Sequence, residues 1–154
     1  MIEVKPATRE LIELLADWQV AMALESESLK LNRKTVISGV TRVFDDPAIG
    51  YYLVASMNGQ PAGCCLVLRE WSDWRNGEVL WIHSVYTAPP SRRSGVFKSI
   101  YKFLEQRVKS TPELRGLRLY VDRNNHAALS AYESLGMNAE HYRLCEWMKA
   151  PADC

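Results

Sequence analysis

With 154 residues, 47% hydrophobic and 24% charged, the chain has the size of one domain with room for a buried core. A net charge of +1 excludes a general attraction to nucleic acid or to an anionic membrane, and no apolar run reaches the roughly 18 residues that cross a bilayer. The N-terminus, MIEVKPATRE, has acidic residues where a secretory leader would be basic and then apolar, so a cytoplasmic protein is expected.

Ile2 to Val4 reads as a short strand ending at Pro6. Thr8 offers a helix cap with Glu10 in the first turn, and Leu11, Leu14, Leu15, Trp18 and Met22 line one face of a helix running to about Leu24. Glu25-Ser26-Glu27-Ser28 then reads as a polar link. Its two carboxylates are either solvated or placed to attract a cation. Asn32 caps a second helix whose buried face is Val36, Ile37, Val40, Val43 and Phe44, ended by Asp45-Asp46-Pro47.

Tyr51 to Met57 and Ala62 to Leu68 form a hairpin about Asn58-Gly59. Glu70 to Gly77 is a polar connector holding Trp71 and Trp74. Two tryptophans are costly to leave in water, so they are expected to pack on the domain's own rim, an acceptor pocket or a dimer contact.

A strand follows from Glu78 to Thr87 and is stopped by Ala88-Pro89-Pro90, because proline donates no ladder bond. Val96, Ile100, Phe103, Leu104 and Val108 then recur at helical spacing, to a helix end near Lys109. Between strand and helix stands Ser91-Arg92-Arg93-Ser94-Gly95. Free N–H groups at a helix start, two cationic side chains and a glycine that admits close approach can hold a pyrophosphate.

Leu117 to Val121 is a short strand, after which Asn124 or Asn125 caps a helix stopped by Gly136. Arg143 to Met148 is the last strand, and Pro151 to Cys154 an exposed tail of the domain formed by residues 1–150. Cys64, Cys65, Cys145 and Cys154 show no metal or redox spacing and read as reduced packing residues. His83, His126 and His141 are too scattered for a zinc site, so no metal is expected.

Arg92-x-x-Gly95-x-Phe97 resembles the acetyl-CoA signature of the GNAT N-acetyltransferases, with Phe97 where that pattern has Gly or Ala. Asn125-x-x-Ala128-x-x-x-Tyr132-x-x-x-Gly136-Met137 resembles the family's second signature at every spacing, with Met137 in place of Phe. The segment from Glu70 to Phe97 is also similar to a subgroup of small bacterial GNAT proteins. The resemblance covers about residues 80 to 140.

It implies an α/β GNAT fold, a mixed and mostly antiparallel sheet of six or seven strands with about four helices on its two faces. It further implies transfer of an acetyl group from acetyl-CoA to a primary amine. The phosphates would be held by Arg92, Arg93, Ser94, Gly95, Val96 and Phe97, and the pantetheine arm by Asn125 and the backbone of Val85, Tyr86 and Thr87. Tyr132 resembles the tyrosine that protonates the departing thiolate.

His83, where related enzymes often carry a glutamate, is the candidate base, with Glu146, Glu25 or water as competitors. Glu25, Glu27, Trp71 and Trp74 make a small cationic or amphipathic acceptor the leading expectation. A protein N-terminus, a non-catalytic acyl-CoA-binding domain and aminoacyl-tRNA are the alternatives, the last poorly served by so small a net charge. Whether two copies pair through the final strands is left open.

Overall fold

In the computed structural model of the protein, which describes residues 1–149, Asn58 and Gly59 adopt φ of 52° and 78°, the left-handed pair a tight hairpin turn requires. They join β2 (Gly50–Met57) to β3 (Gln60–Ser72), with Met57 opposite Gln60. The expected tail, Pro151 to Cys154, lies outside the described residues.

The hairpin is extended on both sides: β1 (Ile2–Pro6) pairs antiparallel with β2, and β4 (Gly77–Thr87) antiparallel with β3. A fifth strand, β5 (Leu114–Leu119), runs parallel to β4, so the sheet is mixed, in the order β1-β2-β3-β4-β5. The strand β3 runs four residues beyond the expected Leu68 and takes in Glu70 and Trp71, which the sequence placed in a connector. Its polar positions are satisfied diagonally across the strands: Arg69 pairs with Glu78 at 2.8 Å, and Glu70 accepts from the Trp81 indole.

Two layers cover the sheet. Strand alternation sends Tyr52, Val54 and Cys64 to one face, where α1 (Ile12–Glu27) and α2 (Arg33–Asp45) bury Leu15, Trp18, Val40 and Val43 against them. Leu53 and Val67 point the other way, and there α3 (Val96–Ser110) lays down Ile100 and Leu104; all four are fully buried. Asn32 caps α2 as expected, accepting from the Lys34 and Thr35 amides at 3.0 and 3.2 Å. Arg33 then forks onto Glu13 and Asp17 of α1 at 2.5 and 2.7 Å.

Two helix boundaries differ from expectation. The Thr8 side chain makes no cap bond, and a 3-10 turn at Arg9–Leu11 precedes the α-helix. At its other end α1 runs past Leu24 through Glu27 and stops at Ser28 (φ 53°), whose amide returns to the Ala23 carbonyl. Glu25 and Glu27 are therefore on a last helical turn rather than in a link. Glutamate propagates a helix almost as well as leucine, and polarity alone does not mark an end.

The chain divides into two units, residues 1–119 and from Tyr120 onward. In the second, α4 (His126–Ser134) is capped by Asn125, whose Oδ1 accepts from the Ala128 amide at 3.1 Å, and Gly136 follows with φ of 85°. The strand expected at Arg143 to Met148 does not form. Tyr142, Leu144, Trp147 and Met148 are exposed, and the described sheet has five strands rather than six or seven. A strand-forming pattern is half of a strand; the other half is a ladder partner in register.

Candidate active site

The end of β4 is unlike the rest of the sheet. Its pairing with β5 stops at Ile82 opposite Leu119, so His83 to Thr87 keep β3 on one edge and no strand among the described residues on the other. The register with β3 slips in the same place: His83 faces Leu66, but Tyr86 faces Cys64. The extra residue is a β-bulge, with Ser84 at φ 51°, a conformation a non-glycine residue holds only when its surroundings impose it.

Part of that surrounding is buried. The Gln19 amide donates to Cys64 Sγ at 3.8 Å, and Cys64 donates to the Ser84 carbonyl at 4.0 Å. Burial pushes the Cys64 thiol up to about 12, so it remains a donor at neutral pH. Val85, Tyr86 and Thr87, expected along a pantetheine arm, lie just past the bulge on this half-unpaired segment.

The chain then turns at once into α3. A 3-10 turn, Pro89–Ser91, leads through Arg93 (φ 61°) and Gly95 (φ 85°) to Val96. Ser99 makes the first return bond, to the Gly95 carbonyl at 2.9 Å, so the amides of Val96, Phe97 and Lys98 precede the helical ladder, and Gly95 brings no capping side chain to occupy them. The Phe97 ring is half-buried and lies 6.4 Å from that of Tyr101, one turn on along the same helix. Gly95, Ser94 and Arg93 are exposed, and Arg93 forms no ion pair with another described residue. A left-handed glycine, the amides that open a helix and a cation are the groups that would receive a diphosphate.

Arg92 is engaged differently. Its Nη2 donates to Glu25 Oε2 at 2.5 Å, its Nε donates to the Thr87 carbonyl at 3.2 Å, and its guanidinium lies 5.9 Å from the centre of the Tyr86 ring. The Tyr86 hydroxyl donates to the other oxygen of Glu25 at 3.4 Å. The last turn of α1, the end of β4 and the turn before α3 thus meet at one carboxylate. Four of the residues singled out from the sequence come together here, namely Glu25, Tyr86, Thr87 and Arg92. Glu27 is exposed and makes no ion pair with another described residue.

His83 belongs to a second group on β4. Its ring stands 5.9 Å from Trp81, and burial holds its imidazole below the usual histidine value, so it is neutral at pH 7. Trp81 donates to Glu70, which also accepts from Arg118 at 2.9 Å, and Arg118 lies 5.9 Å from the Trp81 ring centre. Those bonds, the Trp81 one foremost, hold the Glu70 carboxyl below the ordinary range. Trp71 and Trp74, expected to be covered, are 63% and 87% exposed.

In the second unit, Asn125 spends its carbonyl on the helix cap. Tyr132 is half-buried, and burial raises its phenol above the ordinary value, so it is protonated at neutral pH. Glu146 is exposed. Among the described residues no group of histidines, cysteines and carboxylates could hold a metal ion, and no helix is long and apolar enough to cross a membrane.

The model of the Acetyltransferase (GNAT) family matches residues 9–137. The chain belongs to that family. A possible acetyltransferase from Clostridium difficile 630 is 30% identical and superposes with a TM-score of 0.89 over 98% of this chain and 99% of its own. Two more distant structures share the GNAT fold. A predicted acetyltransferase from Clostridium acetobutylicum, solved with acetyl-CoA, has 18% identity and a TM-score of 0.70 over 98% of this chain and 96% of that one. The ribosomal-protein-alanine N-acetyltransferase from Brucella melitensis biovar Abortus 2308 has 13% identity and a TM-score of 0.77 over 97% and 100%. No protein of curated function is matched.

Within this GNAT chain, sequence reasoning passed over Ser84, Gln19 and the Trp81–Glu70–Arg118 group. Ser84 sits in a run of ordinary strand formers and gives no local signal of a left-handed residue. Gln19 did give one: it is a polar residue among apolar neighbours on a helix, and such a residue needs a partner, whereas Glu70 stands in a polar run and gave none.

Proposed function

We propose that this protein, working in the cytoplasm as a single domain over residues 1–150, moves the acetyl group of acetyl-CoA to the primary amine of a small cationic acceptor. The observation that carries the reading is the half-unpaired end of β4 opening directly onto the left-handed turn and the amides that precede the helical ladder of α3. An extended amide-bearing arm can pair with the open backbone of Val85 to Thr87 while Arg93, Ser94 and the amides of Val96 and Phe97 take the phosphates.

The chemistry needs no enzyme nucleophile. A neutral amine attacks the thioester carbonyl, a C–N bond forms, the C–S bond breaks, and the thiolate leaves with a proton. His83, neutral at pH 7, accepts the ammonium proton directly or through water. Tyr132, protonated at the same pH, gives the leaving sulfur its proton. The buried thiols of Cys64 and Cys65 stay protonated and out of the reaction.

The test mixes the protein with acetyl-CoA and a panel of diamines, monoamines and short peptides and follows release of free thiol. Turnover of an amine that falls about 100- to 10,000-fold in Tyr132→Phe supports the reading, the scale expected when a proton donor is removed. Binding of the thioester without turnover above the Tyr132→Phe level makes the protein an acyl-CoA-binding module instead. Preference for the peptides would move the acceptor to a protein N-terminus.

A further inference from the structure

The contact at Glu25 has a consequence for how the two substrates meet. Arg92 uses Nη2 on the Glu25 carboxylate and Nε on the Thr87 carbonyl, which occupies the side-on edge of the guanidinium that can form a two-point grip. That is one of the guanidinium's two gripping edges; the other, Nη1 with the second hydrogen of Nη2, stays open, but a diphosphate takes the side-on grip only by drawing the guanidinium away from Glu25. Its partner is equally engaged, since Glu25 Oε2 accepts from Arg92 and Oε1 from the Tyr86 hydroxyl.

The pair is also easily parted. Both side chains are 46% exposed, and an ion pair open to water is a weak bond. A diphosphate carries more charge than one carboxylate and offers paired oxygens, so it outbids Glu25 for the guanidinium. What it leaves behind is electrically uncomfortable. Glu25 sits on the last turn of α1, where the helix end is itself partly negative, no basic residue lies in that turn, and Glu27 adds a second carboxylate. A carboxylate so placed and deprived of its cation will take another.

We propose that Arg92 exchanges Glu25 for the diphosphate of the bound nucleotide thioester, and that Glu25, released, becomes the carboxylate that binds the cationic acceptor. The proposal rests on the acyl-CoA reading above. In the unliganded protein the acceptor carboxylate is masked by the phosphate-binding arginine. Binding of the first substrate therefore creates the binding group for the second, and each favours the other by the same factor.

Unacylated CoA binds without reacting, so calorimetry with CoA at low salt isolates the exchange. Glu25→Gln, a neutral change at an exposed position, is expected to bind CoA about two- to fivefold more tightly than the native protein, because Arg92 no longer has a competing carboxylate. That advantage shrinks as added salt screens the native pair. It is absent in an Arg92→Gln background, where Glu25→Gln changes nothing further. For the acceptor, Glu25→Gln raises KM for a diamine several-fold more than for a monoamine while kcat holds.

Equal or weaker CoA binding by Glu25→Gln at low salt overturns the exchange, as does a tightening that persists without Arg92. An equal rise in KM for both amines overturns the acceptor half. If neither the native protein nor Glu25→Gln binds CoA, the acyl-CoA reading itself falls, which is a different result from binding that is indifferent to Glu25.

Discussion

At the scale of single residues, His83 makes the most direct connection between burial and chemistry. Burial lowers its pKa, so the unfolded chain takes up a proton more readily than the folded one. The stability this group contributes is therefore complete above about pH 6.5 and is lost as pH falls below it. Thermal unfolding followed from pH 7.5 to 5 should show a decline that is shallower in His83→Gln. With His83 as the base proposed above, the acid limb of the kcat/KM profile is expected below about pH 6.5, and His83→Gln should remove that limb. A limb that survives the substitution would assign the base to a carboxylate or to water.

The two cysteines in sequence at β3 give a second residue-scale prediction. Cys64 and Cys65 are wholly buried, and burial raises both thiols, whereas Cys145 is exposed. Reaction with iodoacetamide at pH 7.5, read by peptide mapping, should label Cys145 within minutes and leave Cys64 and Cys65 unlabelled until the protein is unfolded. What was legible at this scale follows from distance along the chain. The caps at Asn32 and Asn125 bond to amides two or three residues away, and their chemistry was readable in place. The Glu25–Arg92 pair spans 67 positions. Both residues stood out separately, and nothing in the linear pattern said that each was the other's partner.

At the scale of elements, the position of the Arg92–Gly95 turn depends on how closely β3, β4 and α3 approach one another, and Gly63 marks that approach. A Cβ placed there would stand 2.6 Å from the Tyr86 carbonyl oxygen and 2.7 Å from a Val96 methyl carbon. One neighbour is backbone at the end of β4, the other the first residue of α3, so neither moves aside without shifting the site. Gly63→Ala is expected to cost about 1–3 kcal/mol in urea unfolding, the usual penalty for an overpacked core, and to weaken CoA binding along with it.

Gly95 differs in kind. Nothing lies within 4 Å of its added Cβ, but φ is +85°, so Gly95→Ala should cost about 1–2 kcal/mol through backbone conformation alone, with Gly95→Asn costing less. If Gly95→Ala leaves stability unchanged, the left-handed turn is not what the folded protein holds. Element boundaries were legible where a specific residue sets them, as at Asn58-Gly59 and Asn32. They were misread where polarity was taken as an ending, because Glu25, Glu27 and Glu70 are each accommodated inside a regular element.

At the scale of the whole molecule, fold and family were legible because two glycine-containing signatures fall in the right order around correctly typed elements. The missing final strand was not. Residues 143–148 carry the composition of a strand, but composition cannot supply the neighbouring backbone that a strand must bind.

The balance of charge gives the last prediction. With a net charge of +1 the protein has no broad field for polyanions, so an anionic ligand that binds must do so through the local donors of the turn. Ligand binding stabilises the folded state by RT ln(1 + [L]/Kd), about 2.7 kcal/mol at a hundredfold excess over Kd, which for a chain of this size raises Tm by roughly 5–11 °C. Acetyl-CoA and CoA should each produce such a shift, and Arg93→Gln should cut it, since Arg93 is the cation of the turn that forms no ion pair with another described residue. Bulk tRNA at equal phosphate concentration should leave Tm within a degree. A shift with tRNA as large as that with CoA would mean that the arginines serve a polyanion rather than a nucleotide thioester, and the acetyl-transfer reading would lose the anchor on which it depends.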